Sequence, residues 1–140
     1  MKNLKRVLFW IISLSWGFIM TFIGGITALI LIILGNRPKK FHCLIYFEIG
    51  QGWGGINLGA FFITSKDVDI STKKHEAGHA LQNVILGIFM PFIIAIPSVI
   101  RYWYREYLLR VKKIQYSSLK PYDSIWFEGW ATKLGEKYFK

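Results

Sequence analysis

The sequence predicts a mainly helical α+β protein integral to a membrane. It should have an N-terminal transmembrane helix, then a small domain with a short β-hairpin and a second apolar segment, helical or re-entrant. Three observations carry this. Val7 to Leu34 is 28 residues without a charge, and about 20 apolar residues suffice to cross a bilayer. The chain is 53% hydrophobic and 19% charged, yet its net charge is +10; disordered or nucleic-acid-binding basic tails are rich in charge and poor in apolar residues. Short β-branched and aromatic runs flank a glycine cluster, between stretches long enough for helices. The 140 residues make one domain's worth of chain, divided as a membrane anchor over 1–40 and a membrane-associated domain over 41–140. A lone Cys43 excludes an internal disulfide framework and a multi-cysteine zinc site.

The anchor spans about 7–34. Lys2, Lys5 and Arg6 precede it, Arg37, Lys39 and Lys40 follow it, and Trp10 and Trp16 suit the interface. It is too long for the h-region of a signal peptide. Gly24-Gly25 suggests a close helix contact. Next, Leu44–Phe47 and Ala60–Thr64 look like strands, separated by the turn region Gly50-Gln51-Gly52-Trp53-Gly54-Gly55. Asp69 or Ser71 can cap a helix starting near Thr72. Val84 to Ile100 is uncharged over 17 residues but holds Pro91 and Pro97, which break or kink a helix. Arg101 to Lys113 interleaves cations with aromatic rings, as the lipid headgroup layer favours. Nucleic acid uses similar ingredients, but beside an apolar segment the bilayer is the partner read here. Asp123 or Ser124 then caps a last helix, from Ile125 to about Tyr138.

Chemistry is concentrated in His75-Glu76-Ala77-Gly78-His79. Residues four apart share a helix face, so both imidazoles can bind one metal ion, while Glu76 reaches a water beside it. Imidazole suits zinc. With 3 histidines and 5 glutamates in the chain, chance gives about 0.002 such motifs. Gly78 lowers helix propensity, which suggests a close neighbour.

A catalytic zinc usually has three protein ligands. The third falls among His42, Glu106, Glu128, Glu136 and the aspartates. Glu106 has Arg110 at i+4 and reads as an ion pair. Glu136 lies between Lys133 and Lys137 and reads as solvated. Asp67 and Asp69 are close to the motif helix. Glu128 differs: Trp126, Phe127 and Trp130 surround it, no cation lies within four positions, and a buried carboxylate needs a partner. Small residues at 129, 131 and 132 would let its helix approach another. Glu128 is therefore favoured as the third ligand.

An H-E-x-x-H followed by a glutamate on a later helix resembles the gluzincin branch of the zincin metallopeptidases. The setting is similar to HtpX-type membrane proteases and to small bacterial membrane proteins with a predicted metallopeptidase site. The likeness is close over Lys73–Asn83 and Trp126–Thr132 and architectural elsewhere. It implies a zincin-like domain, Zn²⁺ on His75, His79 and Glu128, and Glu76 as catalytic base. It also implies a peptide or membrane-protein substrate and a bacterial cell membrane. Many soluble gluzincins place an aspartate four residues after the ligand glutamate to orient a histidine. Thr132 stands there, which leaves that role to another residue such as Asp123, or the site weaker. Trp53 to Ile63 occupies the place of the family's substrate-aligning edge strand, and Tyr116 and Tyr122 are oxyanion candidates.

If Glu128 joins the histidines, Val84 to Ile100 cannot simply cross the bilayer between them. That favours a re-entrant segment and, with the basic remainder, a cytoplasmic domain; a true second crossing would turn the motif outward. The alternative reading is a non-catalytic membrane protein, of accessory or immunity type, with a structural metal site.

Overall fold

The computed structural model describes residues 2–140. The chain is mainly helical, with one four-stranded sheet. Helices α1 (Lys2–Ser15) and α2 (Phe18–Ile33) fill the uncharged stretch, but not as the single transmembrane rod expected. Their axes bend by 97°, and no single helix among the described residues is long and apolar enough to cross a membrane. Gly17 explains the elbow. Its N–H reaches back five residues to the Ile12 carbonyl (2.9 Å), and its own carbonyl accepts from Asn83 Nδ2 (3.2 Å). A Cβ at Gly17 would lie 2.5 Å from that amide nitrogen. A polar side chain entering the helical ladder is a recognised cause of a kink. Its source lies 66 residues away, beyond the reach of a hydropathy window.

The sheet contains β1 (Lys39–Phe41), β2 (Leu44–Glu48), β3 (Gly55–Leu58) and β4 (Phe61–Thr64), in spatial order β1-β2-β4-β3. The two expected strands are neighbours, but parallel, and the glycine region does not close them into one hairpin. It delivers β3, which turns at Gly59-Ala60 to pair antiparallel with β4. The two most apolar strands thus lie side by side at the centre, with Leu44, Phe47 and Phe62 almost fully buried. Glycine-bearing β3 is left at an edge.

Asp69 caps α3 (Ile70–Leu86) by accepting from Thr72 N (3.0 Å), as the sequence indicated. After α3 the chain turns back through 117°. It passes a 3-10 turn at Gly87–Phe89 and a π-helical turn at Pro91–Ala95 before α4 (Ile96–Arg110). Gly87 has φ +57° and lies under the Trp16 indole, whose Nε1 donates to the Ile85 carbonyl (3.3 Å). The elbows of the two apolar helix pairs therefore interlock. Outside them, Phe22, Ile26, Leu29, Phe92, Ile96 and Ile100 are exposed. The last helix, α5 (Trp126–Tyr138), has no side-chain cap; Asp123 and Ser124 do not fill that role.

One apolar core joins sheet, α1 and α3 through Phe9, Phe41, Leu44, Tyr46, Phe62 and Ala77. A second, of Met20, Met90, Ile94 and Phe127, joins α2 and the π-turn to α5. Between α3 and α5 the contact is backbone on backbone. A methyl group on Gly78 would sit 1.9 Å from the Ala131 carbonyl oxygen, and one on Gly135 would sit 2.0 Å from that of Lys74. Gly24 likewise lies against the Leu58 carbonyl, whereas Gly25 has no neighbour nearer than 3.9 Å.

These distances separate otherwise similar substitutions. Alanine in a helix gains about 1 kcal/mol over glycine, but overpacking against backbone costs about 1–3 kcal/mol or more. Gly78→Ala and Gly135→Ala should lower the unfolding midpoint, and Gly25→Ala should leave it equal or higher. Thermal unfolding in one detergent compares all three; equal midpoints would show that α3 and α5 do not need this approach.

Candidate metal centre

His75 and His79 lie one turn apart on α3, and α5 brings Glu128 against both. Glu128 Oε2 is 3.1 Å from His75 Nε2 and 3.0 Å from His79 Nε2. The three ligand atoms lie within 4.8 Å of one another. Tetrahedral ligands about 2.0–2.1 Å from one zinc ion are about 3.3 Å apart; the two separations from Glu128 are already close to this, and the imidazole nitrogens would have to draw toward that spacing to admit an ion. Glu128 is fully buried, and its other oxygen accepts from Ser98 Oγ (2.5 Å). Burial alone would raise its pKa; hydrogen bonds from His75, His79 and Ser98 outweigh this and hold the carboxyl well below the usual carboxylate range.

The histidines are oriented from behind. Gln82 Nε2 donates to the Phe127 carbonyl (2.8 Å), which leaves its Oε1 facing His79 Nδ1 at 2.7 Å. Nδ1 is then the donor in this contact, and Nε2 is the nitrogen left to face a metal ion. His75 Nδ1 lies 2.9 Å from Thr132 Oγ1. Thr132, which stands where many soluble gluzincins have an aspartate, thus does contact a histidine, with a neutral hydroxyl; Asp123 is not that partner.

Glu76 is buried beside the cluster. A Cβ on Gly55 would meet its Oε1 at 2.7 Å, so the carboxylate is seated against the backbone of β3. Asn57, also on β3, donates to the Glu76 carbonyl (3.0 Å) and fixes strand to helix. Burial pushes the Glu76 carboxyl up to about 7; His75 opposes the rise and the charge of Glu128 adds to it. Burial and the Glu128 charge similarly push the Tyr122 phenol up to about 12, so it stays a neutral donor. Its ring lies under the guanidinium groups of Arg101 and Arg105.

Two cavities meet at the centre. One, of about 360 Å³, is lined by β3 and by Met20, Met90, Ile94 and Val99. The other, of about 640 Å³, is lined by Gly52, Thr72, Asp123 and Glu136 among others. Both reach His75, Glu76 and Tyr122.

The sequence-predicted residues His75, Glu76, His79 and Glu128 come together. The other ligand candidates do not join the cluster. His42 packs between Phe41 and Phe139. Asp67 accepts from Gly52 N, and Asp69 is the helix cap. Glu106 pairs with Arg110 at 2.8 Å, as its spacing indicated. Tyr116 is exposed. Sequence reasoning missed Gln82 and Ser98; Gln82, three residues after His79 and on the same helix face, was detectable. Comparison with protein-family models, curated proteins and solved structures finds no match for this chain.

Two outcomes follow from the supports of the site. Gln82→Ala and Thr132→Val should each weaken zinc affinity about 10–100-fold, read by competition with a chromophoric chelator; unchanged affinity would make these contacts incidental. In the metal-free protein, Glu76 has a higher pKa folded than unfolded. Its stabilising contribution is full below about pH 4.5 and is lost as pH rises through about 7. The stability difference between wild type and Glu76→Gln should therefore shrink by roughly 3 kcal/mol across that window, measured by denaturant unfolding. A pH-independent difference would place Glu76 in water.

Proposed function

We propose that this chain is a membrane-associated zinc metallopeptidase of gluzincin type. The observation that carries the reading is the convergence of His75, His79 and Glu128 on one point, with the Glu76 carboxylate buried beside it at the junction of two cavities. A structural metal site has no use for a second, uncoordinated carboxylate lining both cavities. Two imidazole nitrogens and one carboxylate oxygen are a donor set that fits zinc.

When bound, zinc supplies the positive charge that acidifies a water molecule and polarises a peptide carbonyl. Glu76 takes the proton from the attacking water and returns it to the amine that leaves. Its seat against Gly55 fixes where that transfer happens, and burial tunes the carboxyl toward neutral pH. The Tyr122 hydroxyl donates to the carbonyl oxygen as negative charge develops there. Edge strand β3 offers a free backbone edge on which an extended peptide can pair, and all four of its residues line the apolar cavity.

The bilayer is the proposed setting. The two bent helix pairs carry the exposed apolar residues, and α4 ends in Trp103, Tyr104, Tyr107 and Arg110 facing outward. A soluble surface rarely exposes an apolar patch of this extent.

Metal analysis and hydrolysis assays test the reading together. Protein purified in detergent and reloaded with zinc should hold about one ion per chain, and His75→Ala and Glu128→Ala should lose it. Glu76→Gln should keep the ion and lose about 10²–10⁴-fold in the rate of cleaving quenched-fluorescent peptides. Zinc retained with no cleavage by the wild type would leave a structural metal site, and no zinc at all would remove the enzyme.

A further inference from the structure

The two cavities at the metal centre differ in character. The apolar one is walled by Met20 of α2, Met90 and Ile94 of the turn between α3 and α4, and Val99 of α4. These segments also carry the outward-facing apolar residues Phe22, Phe89, Phe92 and Ile96. The other is the more polar of the two: Thr72, Arg105, Asp123 and Glu136 share its wall with Leu109 and Tyr116. The division runs along β3 and the loop before it. Ile56, Asn57 and Leu58 line only the apolar side, Gly52 and Gly54 only the more polar side, and Trp53 and Gly55, the latter against Glu76, line both.

A peptide lying along this edge would have its reacting bond at Gly55, one flank among apolar side chains and the other where charged and hydroxyl side chains join the wall. Antiparallel pairing is the commoner geometry. It runs the peptide from the Leu58 end to the Gly52 end, so residues before the bond enter the apolar cavity and residues after it enter the polar one. The apolar cavity lies within the range of about 300–1,000 Å³ usual for ligand sites, large enough for a bulky side chain.

We infer that the site recognises an extended segment with bulky apolar residues on the N-terminal side of the reacting bond and polar residues on its C-terminal side. Such a segment is the end of a membrane-buried stretch as the chain leaves the bilayer. That a bond reacts there rests on the proposed peptidase function, but recognition itself can be measured without turnover.

The test uses zinc-loaded Glu76→Gln protein in nanodiscs of phosphatidylethanolamine and phosphatidylglycerol. The probes are two labelled ten-residue peptides of identical composition, one with a Phe/Leu block followed by a Ser/Lys block and one with the blocks reversed. Equal composition makes their partition into lipid comparable, and empty nanodiscs give the background. The apolar-first peptide should bind at least about tenfold more tightly by fluorescence anisotropy, and Val99→Asp, which puts a charge into the apolar cavity, should erase that preference. Equal binding of the two orders, or preference for the polar-first peptide, would overturn the inference. The ordered preference together with no cleavage by zinc-loaded wild type would uphold it and defeat the peptidase reading, so the two fail separately.

Discussion

The approach of α3 to α5 is the constraint on which the rest depends. Two glycines, Gly78 on one helix and Gly135 on the other, bring the backbones together without intervening side chains. Fully buried Ala131 extends the same thin seam, while Ala77 and Ala80 turn the other way, into the core against the sheet. Only at that separation can a glutamate in the first turn of α5 place one oxygen within 3.1 Å of two imidazoles on α3. A glycine inside a helix lowers its intrinsic stability, so both positions trade helix propensity for proximity. The trade is local, because capping by Asp69 and the packing of Phe62 and Phe127 hold the helices in place from outside the seam.

The elbows obey a related rule. A helix bends sharply where something enters its hydrogen-bond ladder, and here the intruder is Asn83, donating to Gly17 while buried. In an apolar environment such a bond has no water to compete with it, and its loss would leave a buried polar group unsatisfied. The same helix α3 therefore supplies two of the three candidate metal ligands, His75 and His79, and the wedge that folds the apolar N-terminal segment back. Trp16, lying over Gly87, ties that fold to the turn between α3 and α4. Met20 and Met90, which these two turns bring together in one core, are both walls of the apolar cavity.

How much of this was legible in the sequence depended on how local the cause was. The meeting of His75 and His79 was legible because four-residue spacing on a helix is geometry, and that of Glu128 with them because a buried carboxylate among tryptophans needs a partner. The Asp69 cap and the Glu106–Arg110 pair are equally local. The straight anchor was misread because its bend is imposed from residue 83. The single hairpin was misread because strand order is a choice among pairings: two apolar strands could meet directly only if β4 inserted between β2 and β3. Thr132 stood in view as a departure from the expected aspartate, yet its hydroxyl reaches His75, a contact that depends on how close α5 lies.

The hydrogen bonding around Glu128 explains why the cluster is preformed. Gln82 gives its amide N–H to the Phe127 carbonyl and so turns its oxygen toward His79 Nδ1. That leaves His79 Nε2 facing the buried carboxylate, as His75 Nε2 does, at 3.0–3.1 Å. Thr132 stands behind His75 and Ser98 behind the second oxygen of Glu128. Each of these partners holds the side of its neighbour that points away from the shared centre. The three donor atoms that could hold one ion are therefore positioned by packing and by bonds behind them, and orienting contacts of this kind are what a metal site needs from the residues around its ligands.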